Sequence, residues 1–555
     1  MRVQAILFLV LFDLGIIAQQ VPDAGQMQKQ LREADALYEK HDYAGAARIY
    51  EQVSSDPQAR QAQWFPDALY NEACYEAMAG DKVRAVASLT SAVDLGYRGG
   101  GASIAKDSDL ASLHDDPRFA ALILTADRKK ARWDSIALAT PYAASIPEDQ
   151  RIAGLSKFWS EARFNFPFFE RVPDLDWDKI YVEYLPRVRA AQTTADYYRV
   201  LTRFAAELHD GHTNVYPPDE IADGFYSRPA VRTALIEDKV LVVSVLDPAL
   251  EQQDIRPGLE LLSIDGTPVR QYAEEEIAPY VSASTTQDRI VRTYNYLLLS
   301  GSDQMPVRLT FRSEKGREFE RMLPRLSSKE RAKLGRQPNT EFRLLPGDIA
   351  YFAINEFEDD ESVKQFKQHL AELDRSQGLI IDLRANGGGN SAFGDQFLSM
   401  LTDKPFATLP WRTLNYISSY RAWGAIPAWH EEASKNVSSG TGLVYDKGVV
   451  LLTSSRTFSA AEDFVATFDV MHRGSIIGEP TGGSTGQPLS FKLPGGGSAR
   501  ICTKDDSYPD GRTFEGKGIM PQIIVRPSIA DIRNNRDAVL EKAVKFLSQA
   551  SSETR

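Results

Sequence analysis

Apolar positions recur with a helical period from about Gln28 to Ala126. Two stretches there, LYEKHDYAGAARIYEQV and LYNEACYEAMAGDKVRAVASLTSAV, follow one scheme. Leu-Tyr sits on a first helix, a polar turn follows, and a second helix carries Ala46 and Tyr50, or Ala85 and Leu89, at i, i+4 spacing. Helical periodicity continues from about Trp133 to Ala206, in LSKFWSEARFNF and YYRVLTRFAAELHDG, and the Asp210-Gly211 pair predicts a stop. The pattern then turns to β in ALIEDKVLVVSVL, GLELLSIDGTPV and MPVRLTFRS, with a helix expected over VRQYAEEEIAPYV. Beyond Leu326 apolar runs alternate with helical segments: GDIAYFAINEF, Ser362 to Leu373, GLIIDL, a helix after Ser391, GVVLLT, a helix after Ser459, SIIGEP. Continuous apolar strands between helices predict a layered α/β core, closed by a helix over Asp531 to Leu547.

A chain of 555 residues exceeds one hydrophobic core, so three or four domains are expected. Hydrophobic residues at 43% and charged residues at 25% exclude the disordered and fibrous classes. The net charge of −12 argues against a nucleic-acid partner, which rewards clustered Lys and Arg. The opening MRVQAILFLVLFDLGIIAQQ has the layout of a signal peptide, with Arg2, a short apolar run and Ala18 before polar sequence. An exported protein, periplasmic or extracellular, with no membrane span after signal removal is therefore expected. Cys74 and Cys502 are the only cysteines and fall in different segments, so the sequence implies no disulfide framework, metal site or cofactor.

Two strand ends carry unusual chemistry: GLIIDL runs into RANGGGN, and GVVLLT runs into SSRTFSAAEDF. The glycine cluster lacks the G-x-x-x-x-G-K-[ST] pattern of a phosphate loop. Such glycines also let backbone N–H groups approach a developing negative charge. TSSRTFS, from Thr453 to Ser459, packs five hydroxyls into seven residues. Ser459 with Glu462 fits a capping box, and a strand-to-helix serine also fits a nucleophile beside the Ala460 N–H. A serine nucleophile needs a base. Of the seven histidines, His41 and His114 belong to the repetitive segment, and His369, His430 and His472 lack a distinguishing context. His209 and His212 remain in ELHDGHTNV, where Asp210-Gly211 presents His212 at a loop.

LHDGHT, DLRANGGGN, SSRTFSAAEDF, GEPTGGSTGQ and FEGKGIMPQIIV, in that order, resemble the tail-specific or C-terminal processing peptidases and their tricorn relatives over about Trp133 to Leu547. IRPGLELLSIDGTPV resembles the strand-turn-strand of a PDZ domain, and the paired N-terminal helices resemble tetratricopeptide repeats. The resemblance implies a signal peptide (1–18), a tetratricopeptide-like domain (19–127), a helical part of the peptidase (128–227), a PDZ-like domain (228–325) and a crotonase-like, ClpP-like α/β peptidase core (326–555). It implies Ser459 as nucleophile, His212 as base and Glu515 as its carboxylate partner. Oxyanion donors would come from Ala460 and from Gly387 or Gly388. The serine–lysine branch has a Lys near Gly483-Ser484-Thr485, and none is present here, so the sequence sides with the histidine branch. It departs in one place: Gly211 stands where some tricorn-type enzymes have a Ser that bridges to the Glu. The expected activity is serine endopeptidase cleavage of polypeptide, with the repeat-like helices offering a surface to a protein partner. The second class is a non-proteolytic peptide- or ligand-binding scaffold on the same fold.

Overall fold

The computed structural model describes residues 24–62, 64–133, 136–335, 337–438 and 444–553. The expected signal segment lies outside them. The chain divides into two compact units, Met1–Ile136 and Ala137–Arg555.

The first unit is helical, with Ala24–Tyr38, Tyr43–Ser54, Phe65–Met78 and Lys82–Leu95 each packed on the next. Asp42 and Asp81 cap the second and fourth of these helices, accepting from the Gly45 and Arg84 N–H groups at 2.9 and 3.1 Å. The same device therefore starts both members of the repeated scheme. Ala46, Tyr50, Ala85 and Leu89, the i, i+4 positions read from sequence, are buried in its core.

The second unit is a mixed α/β assembly of several sheets. Its central sheet runs Ile523–Ile524, Ser475–Gly478, Val449–Thr453, Gly378–Asp382, Ile349–Ile354, Thr340–Leu345, and only the last strand is antiparallel to its neighbour. Every residue of Ile349–Ile354, Gly378–Asp382 and Val449–Thr453 is buried, as strands covered on both faces require. Helices Ser391–Leu398 and Ala460–Val470 pack together over one face, and the C-terminal helix covers the other. The closing helix predicted as one piece is two, Ile529–Arg533 and Ala538–Glu553, because Asn535 between them adopts φ +50°.

Residues 227–326 form a second sheet, antiparallel, in the order Val231–Ile236, Lys239–Val245, Glu260–Ile264, Val307–Arg312, Glu318–Leu323. Its first hairpin turns on Glu237 and Asp238, both at positive φ, as a two-residue turn matched to strand twist needs. Helices Glu148–Asn165, Trp177–Ala190 and Thr194–Ala206 share an aromatic-rich core with Leu493, Ala499 and Ile501. That core ties the helical segment to the stretch of chain between the central-sheet strands Ser475–Gly478 and Ile523–Ile524.

Candidate active site

Ser459 follows a buried central strand through a loop held by its own hydroxyls. Thr457 Oγ1 donates to the Leu383 carbonyl (2.8 Å), Ser454 Oγ to the Arg384 carbonyl (2.6 Å), and the Phe458 N–H to the Asn386 carbonyl (3.1 Å). These bonds hold Ser459 at φ +60°, ψ −130°, a conformation that costs a non-glycine residue roughly 1–3 kcal/mol. The capping relation read from sequence is present: Glu462 reaches back to the Ser459 N–H at 3.3 Å. The Glu462 N–H lies 2.6 Å from the Ser459 carbonyl, and the Ser459 hydroxyl lies on His212.

The glycine turn comes against this elbow. A Cβ on Gly388, which sits at φ +108°, would fall 2.6 Å from Ser459 Cβ and 2.9 Å from the Phe458 carbonyl. The Gly388 N–H donates to Asn386 Oδ1 at 2.9 Å, whereas a Cβ on Gly387 would meet nothing within 4 Å. Gly387, Gly388, Ser459 and His212 line one cleft of about 590 Å³, and Ala460 is the first residue of the helix beside it.

His212 comes from the end of the helix Thr194–Ala206, which a Thr193–Asp196 capping box starts. Past the turn, Asn214–Tyr216 pairs antiparallel with Ser498–Arg500, which clamps the loop. The buried imidazole places Nε2 3.0 Å from Ser459 Oγ and Nδ1 2.8 Å from Ser484 Oγ. Its ring stacks on Phe458, with centroids 4.8 Å apart and planes at 21°. Burial, then the cations Arg500, Arg292 and Lys504, hold its pKa well below the usual histidine value.

The structure also accounts for Gly211. A Cβ there would lie 2.8 Å from Phe458 Cζ, against the ring that supports His212, so a bridging Ser cannot be accommodated without moving Phe458. Ser484 meets the imidazole instead, and its hydroxyl lies 3.4 Å from Asp210 Oδ1. Asp210 is buried and accepts from Thr213 Oγ1 (2.6 Å) and Ser284 Oγ (3.1 Å). Burial raises its pKa above the ordinary value, and the Thr213 and Ser284 bonds oppose the shift.

Glu515 is buried one residue along from this chain. Its Oε1 accepts from the Thr485 N–H and from Thr485 Oγ1, and its Oε2 from Arg171 Nη1 at 3.4 Å. The group on His212 Nδ1 is Ser484, not Glu515. Burial pushes the Glu515 pKa well above the carboxylate range, opposed by Arg171 and Thr485. Glu462, read from sequence as the capping-box partner of Ser459, does more: it accepts from Thr481 Oγ1 (2.5 Å), the Gly483 N–H (2.7 Å) and the Ser484 N–H (2.9 Å). It thereby sets the loop that carries Ser484. Burial pushes its pKa up to about 8. Sequence reasoning missed Asp210, Ser484 and Glu462 as site residues. The one available signal was Ser484 standing where the lysine branch has its base.

His209 lies outside this arrangement, at φ +48° in the turn before Asp210. Cys74 and Cys502 are both free and buried. Among the described residues, one group has metal-ligand character, Cys74 with Asp107 and Asp109 in the first unit. Tyr70 and Tyr38 hydroxyls donate to those two carboxylates at 2.6 and 2.9 Å.

The model of peptidase family S41 matches residues 348–525, and that of the tricorn protease C1 domain matches residues 154–206. Among solved structures, mature CPAF complexed with lactacystin is 15% identical with a TM-score of 0.54, over 73% of this chain and 98% of that one. A mutant form of CPAF is 16% identical with a TM-score of 0.56, over 73% and 98%. The photosystem II D1 C-terminal processing protease is 19% identical with a TM-score of 0.42, over 68% and 93%. At these identities the CPAF likeness is one of fold. The fold and the matched family models make the second unit a serine-type peptidase.

Proposed function

We propose that the chain is an exported serine endopeptidase of the C-terminal processing or tricorn type, which cleaves polypeptide through an acyl-enzyme on Ser459. The observation that carries this reading is the 3.0 Å approach of His212 Nε2 to Ser459 Oγ, with the serine held at a strained strand-to-helix elbow in an open cleft. Neutral His212 accepts the Ser459 proton as Oγ attacks the carbonyl carbon, then returns it to the leaving amine. The oxyanion meets the Ala460 N–H at the positive end of its helix and the Gly387 N–H on the facing turn. Gly388 serves by staying small, since its own N–H is bonded to Asn386.

With Nδ1–H donating to Ser484 Oγ, the serine hydroxyl is free to donate onward to Asp210. This chain selects the tautomer that leaves Nε2 able to accept. Asp210 and Ser484 are positioning residues, and Glu515 supports them by holding Thr485. Residues 228–325 are read as a PDZ-like domain and residues 19–127 as a tetratricopeptide-like domain that presents a surface to a protein partner. Export is read from the charged, apolar and polar succession of residues 1–20.

A fluorophosphonate probe tests the assignment. It should label Ser459 and no other residue, and peptide mapping that places the label on Ser454, Ser455 or Ser484 would sink it. Ser459→Ala should abolish both labelling and peptide cleavage.

A further inference from the structure

Among the described residues, two acids are buried in the first unit, Glu72 and Glu76, which stand one turn apart on the helix Phe65–Met78. They are served unequally. Glu76 Oε2 accepts from Ser88 Oγ at 2.8 Å, and Arg84 Nε lies 3.6 Å from Glu76 Oε1. Glu72 Oε2 is buried without a hydrogen-bond partner, and the nearby Ser54 hydroxyl donates to the Glu51 carbonyl at 3.2 Å. Burial pushes the Glu72 pKa up to about 7; the Ser54 hydroxyl opposes the shift, and the Glu76 and Glu51 charges add to it. The other acid with a buried oxygen left unpartnered is Asp463, whose second oxygen accepts from Ser391 Oγ.

Glu72 lines a groove of about 550 Å³ between three helices of this unit. Phe65, Leu69 and Glu72 form one row on Phe65–Met78, Ser91 and Leu95 form another on Lys82–Leu95, and Glu51 comes from Tyr43–Ser54. Leu95 is 56% exposed, so an apolar wall of the groove stands open to solvent. Glu51 and Asp94 add negative charge to the lining, but each already has a cation at 3.0 Å, Arg84 and Lys129 respectively. Among the described residues Glu72 forms no ion pair, and Arg60, the one basic residue in the lining, does not reach it. A buried carboxylate without a counter-charge is costly and is normally paired. An acid in the wall of an apolar groove suits a long-stemmed cation, whose methylenes cover Leu69 and Leu95 while its head meets the carboxylate. The carboxyl group ionises readily as that cation arrives, because an opposite charge favours the charged form.

We propose that this groove is a docking subsite for a lysine or arginine side chain of a polypeptide partner, with Glu72 as the counter-charge. It rests on the reading of these helices as a surface for a protein partner and does not depend on the chemistry at Ser459.

Random short peptides displayed on phage are selected on the full chain carrying Ser459→Ala, so that turnover plays no part. Those that no longer bind once Ser91→Trp fills the groove are kept. They should share a Lys or Arg beside apolar residues. In fluorescence polarisation the labelled peptides should bind about tenfold more weakly when that residue is replaced by norleucine, the scale of a charge-assisted hydrogen bond. Glu72→Gln in the protein should shrink this difference to under about threefold. Exchanging Lys for Arg in the same peptide tells which head group the groove prefers. Groove peptides with no cation in common, or a cation preference that Glu72→Gln leaves intact, overturn the subsite and leave the groove as a partner surface. Selection that yields no peptide sensitive to Ser91→Trp removes the partner-surface reading, and this subsite with it. The norleucine comparison alters the peptide alone, so it decides the matter should circular dichroism show that Glu72→Gln does not fold.

Discussion

At the scale of single residues, the site turns on what His212 touches. Its lowered pKa keeps the imidazole neutral to a lower pH than an ordinary histidine, and the base must be neutral to accept a proton. The acidic limb of kcat/KM should therefore lie below the usual histidine value of about 6.5, lower than sequence alone would suggest. Arg500 contributes to that depression, so Arg500→Gln should move the limb to higher pH, and a pH–rate profile that stays in place argues against the assignment of His212 as base. The carboxylate partner is tested by a pair of isosteric changes. Asp210→Asn leaves Ser484 without its charged acceptor and should lower kcat by roughly 10²- to 10⁴-fold with KM little changed, the upper figure being the cost of such a change in a well-studied triad. Glu515→Gln should cost less, because Glu515 acts on Thr485 rather than on the imidazole. Steady-state kinetics that reverse this order would restore Glu515 as the direct partner and remove Asp210 from the site. Gly388→Ala should also lower kcat while the protein folds, since the new methyl group meets Ser459 Cβ at the elbow.

At the scale of elements, the 227–326 region is more than an appended domain. Gln287 Nε2 donates to the Thr481 and Lys517 carbonyls at 3.0 and 2.7 Å, and Thr285 Oγ1 to the Gly482 carbonyl at 2.7 Å. Ser284 and Arg292 reach Asp210 and the Gly211 carbonyl. One segment thus steadies both the loop that carries Ser484 and the turn that carries His212. Excising about 228–325 would remove these bonds, so it should depress cleavage of short and long peptides alike and cannot by itself report substrate recognition. Gln287→Ala is the sharper test. Two lost hydrogen bonds at about 1 kcal/mol each should lower kcat about tenfold or more through a loosened 481–485 loop, with the label on Ser459 forming more slowly. An unchanged labelling rate would mean that the loop is held by Glu462 alone.

At the scale of the whole molecule, the assigned site falls within one of the two compact units. All residues assigned to the reaction, from Asp210 to Glu515, lie in Ala137–Arg555. The chain shortened to 137–555 should therefore fold and cleave short peptides with kcat within about threefold of the full chain, a limit set by the rule that separate sites add nearly independently. A soluble but inactive shortened chain, judged by circular dichroism and fluorophosphonate labelling, would show that the helical unit completes the site.

Local pattern determined a large part of this protein. Continuous apolar runs specified buried strands, and the change from TSSRTF to a helical pattern placed Ser459 at a strand-to-helix junction. These features follow from side-chain period and backbone sterics, which act over a few residues and can be read along the chain. The surroundings of His212 could not be read that way. Its partners Ser459 and Ser484 lie 247 and 272 positions away, and the Ser484–Asp210 contact spans 274. Motif order pointed to Ser459 and His212 but could not say which hydroxyl would meet Nδ1. That was decided by the packing of Phe458 against His212, which leaves no room for a side chain at Gly211, and by Glu462 folding its loop to bring Ser484 in. Arg228 and Arg456 meet on Tyr296 for the same reason. Separate segments, each unremarkable alone, meet only once the 227–326 sheet is docked beside the cleft, because a packed interior fixes distances that a one-dimensional pattern does not contain.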